Sequence, residues 1–243
     1  AADADLPAET LSYSIVGGAD AAKFTIVAAT GALSFVAAPN FEVPTDIGTN
    51  NVYNVQVQAA DGVGGATTQS IAVTVTAVND NNPVFTSAAT ANVAENTSAV
   101  LTVVATDADL PTQTVSFSIA GGADAALFTI VAATGALSFV AAPDFDVPTD
   151  AGTDNVYDVQ VQASDGAGGT TAQSIAVTVT PVNDNSPVFT SAATASVAEN
   201  TSAVLTVIAT DADLPAQTVS YSIVGGADAA KVPIVAATGA LSF

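Results

Sequence analysis

Val156-Tyr157-Asp158-Val159-Gln160-Val161-Gln162-Ala163 alternates apolar and polar side chains almost without a break. Ser174-Ile175-Ala176-Val177-Thr178-Val179-Thr180 does the same. Successive side chains of an extended strand point to opposite faces, so each stretch predicts one face on a core and one in water. Outward from this pair, residues 100–106, 115–119, 128–131 and 136–140 read as further strands. Gly121-Gly122, Thr134-Gly135 and Asp165-Gly166-Ala167-Gly168-Gly169 read as the turns between them. No stretch carries a helical period. About seven short strands in about 104 residues predict an all-β fold, an immunoglobulin-like Greek-key β-sandwich.

The pattern returns at a fixed distance. Asn183-Asp184-Asn185 repeats Asn79-Asp80-Asn81 after 104 positions. Asp211 and Asp213 likewise repeat Asp107 and Asp109, which repeat Asp3 and Asp5. Residues 83–139 align with 187–243 without a gap and differ at 8 of 57 positions, so the copies read as products of recent duplication in a tandem array. The period divides the chain into residues 1–82, a repeat without its first strand; 83–186, a complete repeat; and 187–243, a truncated one. Such ends are expected of a window on a longer array. Head-to-tail donation of the strand at 189–197 between chains is a second way to complete them. In the last copy Lys231-Val232-Pro233 replaces Leu127-Phe128-Thr129, which predicts a weaker strand, because proline cannot donate to a ladder.

Composition narrows the chemistry. The chain carries 23 acidic residues against Lys23 and Lys231, for a net charge of -21. A surface of that sign repels nucleic-acid phosphates and anionic membranes. No apolar run is long enough to span a bilayer. Hydrophobic residues make up 49% of the chain, so it can bury a core, unlike a disordered acidic tail. There is no His and no Cys, which removes the usual triads and thiol nucleophiles and the common zinc ligands. Paired carboxylates could serve a glycosidase, but here they recur repeat by repeat instead of marking one cleft. No enzyme is expected. What remains in quantity is oxygen, the ligand of hard cations and of Ca²⁺ above all.

Several motifs, in order and in register, then resemble one family. Asn79-Asp80-Asn81-Asn82-Pro83-Val84-Phe85 and Asn183-Asp184-Asn185-Ser186-Pro187-Val188-Phe189 resemble the cadherin inter-domain linker, DxNDNxPxF. Ala94-Glu95-Asn96 and Ala198-Glu199-Asn200 resemble its xEN motif, Asp107-Ala108-Asp109 its DxD, and Asp144-Phe145-Asp146 its D-x-E. Phe128-Thr129-Ile130 with Thr134-Gly135-Ala136-Leu137, and Tyr157 with Ala163-Ser164-Asp165-Gly166, fit its strand and loop signatures.

The resemblance implies Ca²⁺ bound where these motifs meet between successive repeats. Carried over residue by residue, the first junction would use Glu42, Asn79, Asp80, Asn81, Asp107, Asp109 and Asp165. The second would use Glu95, Asp144, Asp146, Asn183, Asp184, Asn185, Asp211 and Asp213. Departures are visible. The first Asp of the linker motif is Ala77 or Pro181, Asn40 stands where the next copy has Asp144, and Asp146 replaces a Glu. Fewer ions per junction are therefore expected than in a complete array. Asp61 and Glu199 would be half-sites, as would Asp3 and Asp5. Asp20, Asp124 and Asp228, in Gly-Gly-Ala-Asp turns, and Asp46, Asp150 and Asp154 are expected to be solvated turn residues. Asn96-Thr97-Ser98 and Asn200-Thr201-Ser202 match the glycosylation sequon, but each abuts a candidate ligand. Phe85, Phe117, Phe128 and Phe139 are expected in the core.

The expected role is a Ca²⁺-stiffened stalk or filament of a secreted or cell-surface protein, serving adhesion or matrix assembly, with self-association in the filament. The alternative is that the repeats themselves bind a partner, another copy or a carbohydrate. Compositional bias and near-identical copies point to a bacterial surface.

Overall fold

The computed structural model describes residues 10–243, so Asp3 and Asp5 lie outside the described residues. The chain forms two compact units. One comprises Ala1–Val84, Ala105–Val115 and Ser164–Thr171; the other comprises Phe85–Val104, Ser116–Ala163 and Ala172–Phe243. The boundary therefore runs through the second copy, whose two acidic loops cluster with the first copy and its linker.

In the first unit, β1 (Ser12–Gly17), β4 (Val52–Ala60) and β5 (Ala66–Thr74) form one antiparallel sheet in the order β1-β4-β5. The ladder from Val52↔Thr74 to Ala60↔Ala66 has no bulge. A hairpin of β2 (Phe24–Ile26) and β3 (Leu33–Phe35) supplies Phe24 and Phe35, which stack at 4.6 Å and meet Tyr53 edge-on. Phe24, Tyr53 and Val55 are the buried centre, with Ile15, Leu33, Val57, Ile71 and Val73 packed around them.

Two short strands, β6 (Val84–Phe85) and β9 (Ala105–Thr106), pair with each other. In the second unit, β7 (Thr90–Ala94), β10 (Ser116–Gly121), β13 (Val156–Ser164) and β14 (Thr170–Thr180) form a sheet in the order β10-β13-β14-β7. The other sheet is β11 (Phe128–Ile130), β12 (Ala136–Phe139) and β8 (Ala99–Thr102), in the order β11-β12-β8. The alternation read from the sequence is met: Tyr157, Val159, Val161 and Ala163 of β13 and Ile175, Val177 and Val179 of β14 are all buried. Phe117, Phe128 and Phe139 join them, while Phe85 is half-buried with its ring 6.5 Å from Phe117.

The strand expected over 100–106 is two strands. Val103 turns its N–H to the Gly135 carbonyl at 2.8 Å, while the Val104 carbonyl accepts from Thr86 at 2.9 Å. The chain changes ladder partners at this point. Gly135 is required there: its φ is +70°, and a Cβ would stand 2.1 Å from the Val103 oxygen. β7 is not among the strands that alternation marks. It joins β14 in parallel, from Ala176↔Thr90 to Thr180↔Ala94, and only Val93 of it is buried, so it carries little hydrophobic signal. β5 has no such neighbour among the described residues, and Ile71 and Val73 are half-buried where Ile175 and Val177 are fully buried.

The third copy contributes β15 (Val188–Phe189), β16 (Ala203–Thr206), β17 (Ala209–Thr210) and β18 (Ala240–Ser242), paired as β15-β17 and β16-β18. Of the strand expected over 189–197, only Phe189 lies in a strand. Its counterpart β7 takes its ladder from β14, and the described third copy has no equivalent of β14. At Lys231-Val232-Pro233 the counterpart of β11 shrinks to a single bridge, Ile234↔Leu241, as the proline substitution predicts.

The turn aspartates correct one expectation. Asp20, Asp46, Asp124 and Asp150 are buried, not solvated. The Asp124 carboxylate accepts the N–H groups of Ala151 at 2.7 Å and Asp158 at 2.8 Å. Asp150 accepts those of Asp154 and Asn155. Asp20 and Asp46 repeat both arrangements in the first copy. The long loop before β13 is thus pinned by carboxylates that satisfy its inward N–H groups. Burial pushes the Asp150 carboxyl up, but the N–H groups of Asp154 and Asn155 outweigh it and hold the group below its ordinary range. Asp154 and Asp228 are exposed as expected, the latter paired with Lys231 at 2.7 Å.

Candidate metal centres at the two linkers

The first linker lies among three loops: the one between β3 and β4, the one between β9 and β10, and the one between β13 and β14. All the residues concerned belong to the first unit. Each loop brings one or two acids. Glu42, Asp80 and Asp109 offer carboxylate oxygens within 4.8 Å of one another, and so do Asp107, Asp109 and Asp165. Asp109 belongs to both triads and is 1% exposed.

Local turns aim these groups. Asp107 accepts the N–H of Asp109 at 2.9 Å, closing a tight turn in the DxD stretch. Asp165 gathers the N–H groups of Ala167, Gly168 and Gly169 at 2.7–3.0 Å. Asn81 clasps the linker onto Asp109, its side-chain amide donating to Asp109 Oδ1 at 2.7 Å and to Asp80 Oδ1 at 3.0 Å. That amide holds the Asp109 carboxyl below its ordinary range, against burial and the neighbouring Asp165 charge. The Ala167 N–H does the same for Asp165, helped by the Asn79 amide and opposed by burial. Both groups are therefore anionic at neutral pH although crowded together.

The second linker repeats the plan within the second unit. Glu95, Asp146 and Asp184 present oxygens within 4.8 Å of one another. Glu95 is buried and accepts the N–H groups of Phe145 at 2.7 Å and Val182 at 2.6 Å, tying the loop and the linker together. Asp146 accepts from Leu214 N–H at 2.6 Å and from the Asn185 amide at 3.0 Å. Asn185 also donates to Asp213 at 2.9 Å. Burial pushes the Asp213 carboxyl up, yet the Asn185 amide and the N–H groups of Asn185 and Asp184 keep it low. Asp211 closes the turn to Asp213, as Asp107 does to Asp109.

Not every candidate joins a triad. Asp144 accepts the N–H groups of Asp146 and Val147, and Asn40 does the same for Glu42 and Val43. Asn79 and Asn183 contact Gln113 and Gln217, which the motif reading passed over. Asn96 donates to Asp184, so the side chain of the first sequon is engaged. Glu199 is exposed, and Asp61 accepts from its own turn, at Val63, Gly64 and Gly65.

The donor set fits Ca²⁺. Carboxylates and side-chain amides supply only hard oxygen ligands, the type this ion takes in sets of about six to eight. Crowded carboxylates in a chain with only two lysines are a setting in which a bound cation would lower the repulsion. Two observations favour one at the first linker. Glu42 Oε1 and Asp107 Oδ2 are buried and, among the described residues, accept no hydrogen bond. An orphaned anionic oxygen is costly unless something positive faces it.

Comparison with known proteins agrees on the domain type. Residues 89–181 match the family model of the cadherin domain. The chain is 32% identical to human Protocadherin Fat 1 over 200 residues, 78% of this chain and 4% of that protein. It is 35% identical to mouse Cadherin EGF LAG seven-pass G-type receptor 2 over 192 residues, 73% of this chain and 6% of that protein. The chain thus spans a small fraction of the length of these relatives. Among solved structures, domains EC22-24 of mouse Cadherin-23 superpose with a TM-score of 0.71 at 22% identity, covering 99% of this chain and 77% of that one. Domains EC1-3 of mouse Protocadherin-24 give a TM-score of 0.67 at 25% identity, covering 96% and 76%.

Proposed function

This chain carries a cadherin-like domain within an array of like repeats, and from that premise we propose that its two linkers are Ca²⁺-stiffened joints of an extracellular structural array. The observation that supports this most is the pair of triads at the first linker, with two orphaned oxygens and a shared, buried Asp109. A divalent cation seated there draws the β3–β4 loop, the linker and the DxD loop onto one centre. Leaving that pose would strip the ion of ligands and return the carboxylates to mutual repulsion, so the loaded joint resists bending. Without the ion, a net charge of -21 and almost no basic residues leave the loops repelling each other.

The biological reading follows from that mechanics. A series of stiff joints suits a stalk or filament at a cell surface that holds an adhesive tip, or its own copies, at a distance. The near-identity of the copies and the lack of arginine favour a bacterial array, as an extension of the same reading. The alternative of direct carbohydrate stacking would fall to the exposed Phe189 and Phe243, because Tyr53, Tyr157 and the strand phenylalanines Phe24, Phe128 and Phe139 are buried.

The test is small-angle scattering and calorimetry on the chain with excess Ca²⁺ and with chelator. Saturable binding with a lengthened, stiffer particle is expected. A chain that takes up no Ca²⁺, or whose dimensions are the same in both conditions, would overturn the proposal.

A further inference from the structure

Each linker holds an amide pair that neither the acidic motifs nor the triads account for. At the first, Gln113 Nε2 donates to Asn79 Oδ1 at 2.6 Å. At the second, Asn183 Nδ2 donates to Gln217 Oε1 at 2.8 Å. The same two positions meet, 34 residues apart in both, but the bond runs in opposite directions. Neighbouring carboxylates explain the reversal. The Asn79 amide helps to hold the Asp165 carboxyl low, in keeping with its nitrogen turned to that anion while its oxygen accepts from Gln113. At the second linker the Gln217 nitrogen goes to Asp213 Oδ2 at 3.3 Å, which leaves its oxygen to accept from Asn183. An amide carries both a donor and an acceptor, so the pair can serve whichever anion needs the N–H.

We propose that Gln113 and Gln217 are the positioning residues of the two linkers: each side-chain amide clamps the first linker asparagine to the loop that follows the DxD stretch and so holds the acidic groups in place before any ion arrives. This rests on the Ca²⁺ reading for its consequence but not for its geometry, since both clamps are made by protein atoms alone. The geometry gives them a definite task. Asn79 and Asn183 are exposed, so packing alone does not fix their side chains. With the clamp, Asn79 of the linker is held to Gln113 of the loop that follows the DxD stretch. Gln113 also keeps a buried oxygen, Oε1, that no described protein group satisfies, on the same linker as the orphaned oxygens of Glu42 and Asp107. Binding to a site already assembled avoids the ordering cost that a loose linker must meet on capture.

The experiment uses the whole chain with Gln113→Leu and Gln217→Leu, which keep bulk and remove the hydrogen bonds. Ca²⁺ titrations are followed by amide resonances of Asn81 for the first linker and Asn185 for the second, so each variant carries its own control site. Loss of one neutral hydrogen bond should weaken the affected linker by about 3- to 10-fold and leave the other unchanged. In chelator, the Asn183 side-chain amide, which donates to Gln217, should exchange slowly with solvent in the wild type and fast in Gln217→Leu. Unchanged affinity at the first linker of Gln113→Leu, or equal exchange in chelator, would overturn the clamp. If the wild type binds no Ca²⁺, the ion reading falls, and the exchange measurement still decides the clamp by itself.

Discussion

Replacing Asp109 with asparagine removes one negative charge and changes almost nothing in shape. Its effect should be disproportionate, because Asp109 is the acid common to the triads Glu42–Asp80–Asp109 and Asp107–Asp109–Asp165. One ion per triad gives the wild type up to two at the first linker and one at Glu95–Asp146–Asp184. Asp109→Asn strikes both first-linker sites, whereas Asp80→Asn strikes one. Even partners one shell out from a metal ligand are worth about 10- to 100-fold in affinity, so a ligand shared by two sites should cost each at least about tenfold. Calorimetry combined with ion counting by native mass spectrometry reads this directly. Near the wild-type half-saturation concentration, Asp80→Asn should lose one ion and Asp109→Asn two, with the second linker untouched in both. A melt in chelator controls for folding, and the replacement amide would keep an oxygen to accept from the Asn81 amide, whose bond to Asp109 is 2.7 Å. If Asp109→Asn binds as many ions as wild type, or loses no more than Asp80→Asn, the shared-ligand geometry is wrong.

Ile175→Ala should cost about 2–5 kcal/mol in a chemical melt, because Ile175 is fully buried, and Ile71→Ala should cost less, since its half-buried site already meets water. Asp124→Ala would orphan the N–H groups of Ala151 and Asp158, at about 1–3 kcal/mol for each, which a thermal melt would show as a clear drop; no drop would mean that the loop is not pinned there. Asp150 has its carboxyl held below the ordinary value, so its stabilisation is complete above about pH 4 and is lost as pH falls through the lower folded value. Asp150→Asn should therefore flatten the acid limb of the stability curve in chelator, and an unchanged limb would assign the acid sensitivity to other groups.

Much of this was legible in one dimension. The period-two alternation in β13 and β14 places their buried faces correctly, because an alternating strand has only one register that hides its apolar side. Proline at 233 announced a failing strand for an equally local reason. The breaks in legibility are non-local. The partner switch at Val103–Val104 depends on Gly135 and Thr86, and no residue in the strand itself signals it. Only Val93 of β7 is buried, and the strand is recognised by its ladder to β14. Asp20 and Asp124 sit in sequences typical of open turns, yet each carboxylate meets an N–H group 27 residues away and another 34 residues away.

The linkers divide in the same way. Spacing alone assigned the chain to tandem β-sandwiches and marked the stretches where acids accumulate, since repeats and residue types are properties of the string. It could not rank those acids. Asp109 and Asp107 are two positions apart in one motif, but only Asp109 faces both triads. Asp144, two residues from Asp146, is taken up by a turn. Gln113 and Gln217, in no motif at all, reach the linker asparagines. Which oxygens converge depends on how loops from distant strands are brought to one place, and that is fixed by the packing of the sheets beneath them, not by the order of residues along the chain.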